Sequence, residues 1–394
     1  MKVFVAGYAG TIQPYAVDET KAAFVKLGSG IEPNSSGSGP SWIAFSSSKS
    51  ADGDRLYSVS EGIPGRIFSH TFDSQTNAIV KTGTEEQKSN GTSTNGDGPV
   101  SALIGHGNSA NLLFVANYND GVAAVLSISP KNGTLSQKAS KEDDATKFQF
   151  TRPASAPAVG PVPDRQDHSY AHQVAIIPTT KGDYVYVCDL GADQIHRLHI
   201  DAEQAVTFVA STDVPAGSGP RHITFHKEPD GRVYGYLASE LSNTVTSFSV
   251  NVTTGELTAL QEPILASPPD VPLSGPGILS TNRTTAEIAL PPAGDFVYIS
   301  NRGDETEDHI SIFSRDTAAG TIKFQEWIPS GGRMPRHFSL SSDAGDTHAK
   351  WLAVGHQTDE NIVLYQRDAA TGKLKKKEIV SNVGPVAFTG FSPF

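Results

Sequence analysis

His172, Arg221, Glu240, Arg302, Arg336 and Glu61 occupy recurring places along the chain, each at the start or the end of a short apolar run. The starts read Ser41-Trp42, Val100-Ser101, Ala171-His172, Arg221-His222, Ala286-Glu287, Arg336-His337 and Val386-Ala387. The ends of the runs that follow carry Tyr8, Glu61, Tyr118, Asp189, Glu240, Arg302 and Gln357. Equivalent positions hold different side chains, where a purely structural repeat would reuse one. Guanidiniums bind carboxylates and phosphates through paired charged hydrogen bonds, and an imidazole or carboxylate beside them can move a proton. Gathered at one mouth, such a set suits an anionic small molecule. A blander reading stands beside this one. Glu61, Asp189 and Arg302 also suit ion pairs between neighbouring elements, and a His at a strand start can simply meet a backbone carbonyl. His222 and His337, each directly after an Arg, are expected to point away from the site, because side chains alternate along a strand.

Other chemistries lack their motifs. The sequence has no Cys/His zinc spacing, phosphate loop, dinucleotide fingerprint or Gly-x-Ser-x-Gly elbow, so neither a metal nor a cofactor is expected. Asn95-Gly96-Asp97-Gly98 lacks the rest of a calcium loop and reads as a turn. A net charge of −11 argues against nucleic acid as a partner. Cys188 is the single cysteine and can form no internal disulfide. The apolar stretch Lys2 to Gly7 is too short for a signal sequence or a membrane span. A cytoplasmic monomer with no membrane partner is expected. A secreted mature form without its leader would read the same, and sequons at Asn34, Asn90, Asn132, Asn251 and Asn282 fit that form.

What positions these side chains is a repeat. Gly219 to Val250 reads as three short strands with turns between, and Gly255 opens a hairpin into a fourth. One such four-stranded antiparallel sheet has two apolar faces and needs copies on either side. Middle strands recur at Phe4–Tyr8, Leu56–Glu61, Phe114–Tyr118, Tyr186–Asp189, Tyr236–Glu240, Tyr298–Arg302 and Leu352–Gln357, which makes seven. Hairpin glycines recur at Gly133, Gly255, Gly320 and Gly372. With 37 Gly, 25 Pro and no long helical period, the chain reads as all-β. The expectation is a seven-bladed β-propeller forming a single domain over 1–394. The first unit lacks its own inner strand, and Gly384 to Phe391 supplies a candidate, so the C-terminal strand should join the N-terminal blade and close the ring. Three polar or Pro-rich insertions, Ser89 to Gly98, Lys141 to His168 and Gln261 to Arg283, should lie on the face that carries the site.

Across essentially its whole length the chain resembles the seven-bladed lactonase family, which includes propeller-type 6-phosphogluconolactonases and fungal 3-carboxy-cis,cis-muconate lactonizing enzyme. The likeness rests on Gly219-Pro220-Arg221-His222 with Ser239-Glu240-Leu241, on Ser300-Asn301-Arg302, and on Met334-Pro335-Arg336-His337-Phe338. It implies His172, Glu240, Arg221 and Arg302 as catalytic residues. Arg336, Asp189, Tyr118, Glu61 and Gln357, at the recurring run starts and ends, are the further substrate-binding candidates. Either Glu240 or His172 would be the base. The implied activity is metal-free hydrolysis of an anionic lactone. The cyclizing reaction on a carboxy-muconate is the alternative, and a non-catalytic binding scaffold is a third. The long insertions before His172 and Thr284 depart from the pattern and are expected to roof the pocket.

Overall fold

The computed structural model describes residues 1–32, 39–50, 53–138, 146–179, 182–268, 271, 283–341 and 348–394. Sequons Asn34 and Asn282, and most of the insertion before Thr284, lie outside the described residues.

Seven antiparallel sheets follow one another in the order the repeat predicts. Blade 1 is built from Val386–Phe391, Lys2–Gly7, Ile12–Asp18 and Ala23–Lys26, from inside out. The C-terminal strand therefore closes the ring, with Val3 opposite Phe391 and Val5 opposite Thr389. Blades 2 to 7 begin with the inner strands Ile43–Ser50, Pro99–Ile104, Ala171–Thr179, Pro220–Lys227, Thr284–Ala289 and Pro335–Leu340.

Each middle strand is buried on both faces, because it lies between two other sheets. The apolar core accordingly divides into seven clusters, one at each junction between neighbouring blades. Four tyrosines of middle strands fasten these junctions. Tyr57, Tyr186, Tyr236 and Tyr298 donate their hydroxyls to the carbonyls of Gly133, Gly255, Gly320 and Gly372 in the next blade, at 2.8, 2.7, 2.9 and 2.6 Å. These are the hairpin glycines of the repeat. Gly320 shows why the residue is Gly: its φ is +75°, and a Cβ would meet the ring of Tyr234 at 2.3 Å.

The insertions have a structural use that the sequence reading did not foresee. In blades 2, 3 and 5 the outer strand is only three or four residues long, which leaves part of the third strand's edge open. Thr92–Ser93, Lys147–Gln149 and Ile264–Leu265, all from the insertions, pair with that open edge. Blades 4, 6 and 7 have eight-residue outer strands and no such patch, and in blade 1, where the outer strand is four residues long, a single bridge from Ile31 to Ile12 takes its place. The one α-helix among the described residues, Glu85–Asn90, runs into the first insertion and starts in a Thr84/Gln87 capping box.

Candidate active site

One irregularity aims the site. Six inner strands carry a register shift against their middle strand near the start. In blades 4, 5 and 7 the residue left without an opposite number is His172, Arg221 and Arg336 respectively. A β-bulge of this kind places two consecutive side chains on the same side of the sheet and bends the strand. Both members of each Arg-His pair therefore turn into the central channel, correcting the expectation that His222 and His337 point outward. There they meet residues from other blades. His222 Nδ1 lies 3.1 Å from both carboxylate oxygens of Glu287, and His337 Nε2 is 3.2 Å from Glu287 Oε2. The Trp42 ring, from blade 2, stands edge-on to both imidazoles.

Above this buried floor is a cavity of about 350 Å³. Among its walls are His172, Glu240, Arg302, Arg336, Tyr118, Glu61 and Gln357, all anticipated from the sequence, and Arg165, which was not. The hub is Glu240. Its Oε2 lies 2.9 Å from Arg221 Nε and 3.0 Å from Arg302 Nη2, and its Oε1 lies 2.8 Å from Arg165 Nη2. The Arg221 approach is a charge contact, since the Nε–H does not aim at the oxygen and that nitrogen has no aligned acceptor. Burial pushes the Glu240 carboxyl up, but Arg302, Arg165 and Arg221 together outweigh it and hold it well below the usual carboxylate range. Arg302 also donates to the Thr285 carbonyl at 3.0 Å. Arg336 has looser ties: its Nη2 is 3.5 Å from Glu61 Oε2, and its guanidinium lies over the Tyr8 ring. Glu61 accepts the Tyr8 hydroxyl at 2.9 Å.

His172 stands edge-on to Tyr118 and to His222. Its Nδ1 is buried without a hydrogen bond. Burial first, and then the cationic neighbours Arg221, Arg336 and Arg302 together with His222, pull its pKa well below the ordinary value. His172 is therefore a neutral imidazole at physiological pH.

Two expected site residues are placed elsewhere. Asp189 is fully buried and turned into its own blade. It accepts from the Tyr170 and Ala192 amides at 2.8 and 2.9 Å, from Ser169 Oγ, and lies 3.0 Å from His196 Nε2. It holds together the loop leading into His172 and does not reach the cavity. The register explains this: Asp189 lies opposite Ala171 as Ser239 lies opposite Pro220, one residue before the position of Glu240, which Leu190 fills in this blade, and successive side chains of a strand point to opposite faces. Arg221 also stops short of the cavity wall. It is 1% exposed and lies behind Glu240, with Nη1 donating to the Ala286 carbonyl at 2.7 Å and 3.3 Å from His222 Nε2. Burial and Arg302 push its pKa down to about 9, so it stays charged and acts by holding Glu240.

Arg165 arrives on the second insertion, in the short 3-10 turn Pro163–Arg165. It donates to the Tyr118 hydroxyl at 3.0 Å as well as to Glu240. The sequence offered only a weak signal, an Arg in a segment already expected to roof the pocket.

The comparisons with known proteins agree with this architecture. The family described as "Lactonase, 7-bladed beta-propeller" matches residues 2–388. The chain belongs to that lactonase family. A 6-phosphogluconolactonase of Formosa agariphila is 31% identical over 280 residues, covering 70% of this chain and 69% of the relative. A 6-phosphogluconolactonase of Bacillus subtilis is 28% identical over 278 residues, covering 71% and 69%. Among solved structures, a periplasmic gluconolactonase of Pseudomonas aeruginosa shares the fold with a TM-score of 0.74 at 23% identity, over 99% of this chain and 98% of that one.

Among the described residues, no helix of this lactonase-family chain is long and apolar enough to cross a membrane, and no three His, Cys, Asp or Glu side chains are grouped as metal ligands. Its buried imidazoles lead to a prediction about acid stability. Burial lowers His70 to about 3, and it lowers His337 and His356 to about 4. Each takes up a proton near pH 6.5 once unfolded but not while folded, so stability falls as pH drops below about 6.5. Chemical denaturation between pH 7 and pH 4 should show a loss on the order of 3 kcal/mol per buried imidazole. A flat profile would mean that these rings are protonated in the folded state.

Proposed function

We propose that this protein hydrolyses the ring ester of an anionic sugar lactone, a phosphorylated gluconolactone in the first instance. The observation that carries the reading is a carboxylate, Glu240, held between guanidiniums on the wall of a cavity that also holds Arg336 and a neutral His172. The names of the relatives fit the same chemistry.

Arg336 binds the substrate's phosphate or carboxylate. Its contact with Glu61 is long, which leaves guanidinium donors for a ligand. Glu240 takes a proton from a water as the water oxygen bonds to the lactone carbonyl carbon. With Nδ1 buried and unpaired, His172 carries its proton on Nε2 and donates it as a hydrogen bond to the developing oxyanion. Collapse of the tetrahedral intermediate breaks the ring C–O bond, and the departing oxygen recovers the proton from Glu240. Lactone and water become a hydroxy acid, which ionises. Arg302 and Arg221 keep the carboxylate in place throughout.

Titrating the acid released from gluconolactone and its 6-phosphate tests the reading; absence of turnover above the spontaneous rate on both lactones would overturn it. The division of labour gives a separate expectation. Arg336→Lys keeps the charge but loses the fork geometry, so KM for the phosphorylated lactone should rise several-fold, and Arg336→Ala should raise it by about tenfold or more, with kcat changing less. If instead kcat falls and KM holds, Arg336 belongs to the chemistry rather than to binding.

A further inference from the structure

We propose that Arg165 determines specificity by latching the base: it covers Glu240 Oε1 until the anionic group of a substrate draws it away. The inference rests on Glu240 being the base of the lactone hydrolysis.

The two oxygens of Glu240 are held differently. Oε2 faces Arg221 and Arg302, which are buried and tied to backbone carbonyls. Among the described residues the only hydrogen-bond partner of Oε1 is Arg165. Oε1 is thus the oxygen through which a water could be activated, and Arg165 stands in front of it. The Arg165 side chain is 34% exposed, against 5% for Arg302 and 18% for Arg336, so it is the freest guanidinium on the wall. Its backbone is not free. The neighbouring Gln166 is fully buried, donates to the Leu190 carbonyl at 3.1 Å, and its own carbonyl accepts from the Gly160 amide at 2.9 Å. The turn stays put while the side chain swings.

Charge supplies the switch. With three guanidiniums around it, Glu240 is a weak base. Losing one raises its affinity for a proton and opens the place of a water at Oε1. A phosphate dianion outcompetes a single carboxylate for Arg165, and the Tyr118 hydroxyl, its other partner, is neutral. A neutral lactone has nothing with which to draw the latch. Specificity then comes from turning on the chemistry as well as from binding.

Gluconolactone, its 6-phosphate and inorganic phosphate are the probes. In the unmodified protein, inorganic phosphate should speed hydrolysis of the neutral lactone several-fold. Arg165→Gln should hydrolyse the neutral lactone about tenfold faster than the unmodified protein, without responding to phosphate, and should raise KM for the phosphorylated lactone about tenfold. Arg165→Lys should fall between. The proposal is overturned if Arg165→Gln slows both lactones alike, or if phosphate acts only as an inhibitor. Calorimetric titration with phosphate reads the anion contact without turnover. A tenfold weaker phosphate affinity in Arg165→Gln supports it and an unchanged affinity overturns it, even if the hydrolysis of both lactones has failed and taken the functional reading with it.

Discussion

Glu240→Gln lowers kcat by about 100-fold or more, with KM for an anionic lactone unchanged or reduced. Gln keeps the shape of the side chain and can still accept from the guanidiniums, but it cannot hold the proton of the attacking water. KM does not rise, because the replacement removes a negative charge from the wall that receives the substrate anion. The variant also leaves Arg165, Arg221 and Arg302 facing a neutral amide, and breaking a buried pair in this way costs about 3–5 kcal/mol. The melting temperature therefore falls, and turnover must be referred to the folded fraction. If turnover per folded molecule stays near normal and only the melting temperature drops, Glu240 is a structural hub for the guanidiniums and not the base. His172→Asn is the companion experiment: loss of a hydrogen bond to the oxyanion lowers kcat without shifting the acid limb of the pH profile.

Deleting residues 384–394 prevents the formation of a soluble folded protein. The lost strand, Val386–Phe391, is the inner strand of blade 1, and it packs against blade 7 in the cluster that holds Trp351, Ile362 and Val386. Phe388 lies against Trp42 and stacks on His337, while Phe394 touches Phe4, Phe45 and Phe72. Burying each large apolar side chain is worth about 1.5–3 kcal/mol. Losing Val386, Phe388, Phe391 and Phe394 together consumes a stability that totals about 5–15 kcal/mol for a typical domain. The truncation also opens the edge of Lys2–Gly7, which invites pairing between molecules. The expected measurement is aggregation on expression. A soluble truncation with an unchanged melting temperature would show that the ring does not depend on this strand. The site is coupled to the same closure, since the Thr389 carbonyl lies 3.0 Å from His337 Nδ1 and His337 meets Glu287 beneath Arg221.

The number of blades, the antiparallel order of strands and the closing strand were legible because each depends on local rules repeated seven times. Apolar runs mark middle strands, glycines mark hairpins, and the missing inner strand at the N-terminus has its counterpart at Val386–Phe391. Repetition also made His172, Glu240, Arg302 and Arg336 visible, as chemical exceptions at equivalent positions. Three things were not legible. Alternation along a strand sends His222 and His337 outward, but a bulge adds a residue and shifts every later side chain to the opposite face, so both point into the channel. Asp189 stands one residue short of the Glu240 position, which Leu190 fills in its blade, so alternation along the strand turns its carboxylate away from the channel, onto the Tyr170 and Ala192 amides. Arg165 lies far along the chain from Glu240 in an insertion without periodicity, and only the folded ring brings them to 2.8 Å. Strand number and order follow from local pattern and apolar burial, which a sequence displays. The direction of a side chain at a bulge, and the partner of a charge on a long insertion, depend on contacts between distant segments, which the tertiary structure alone decides.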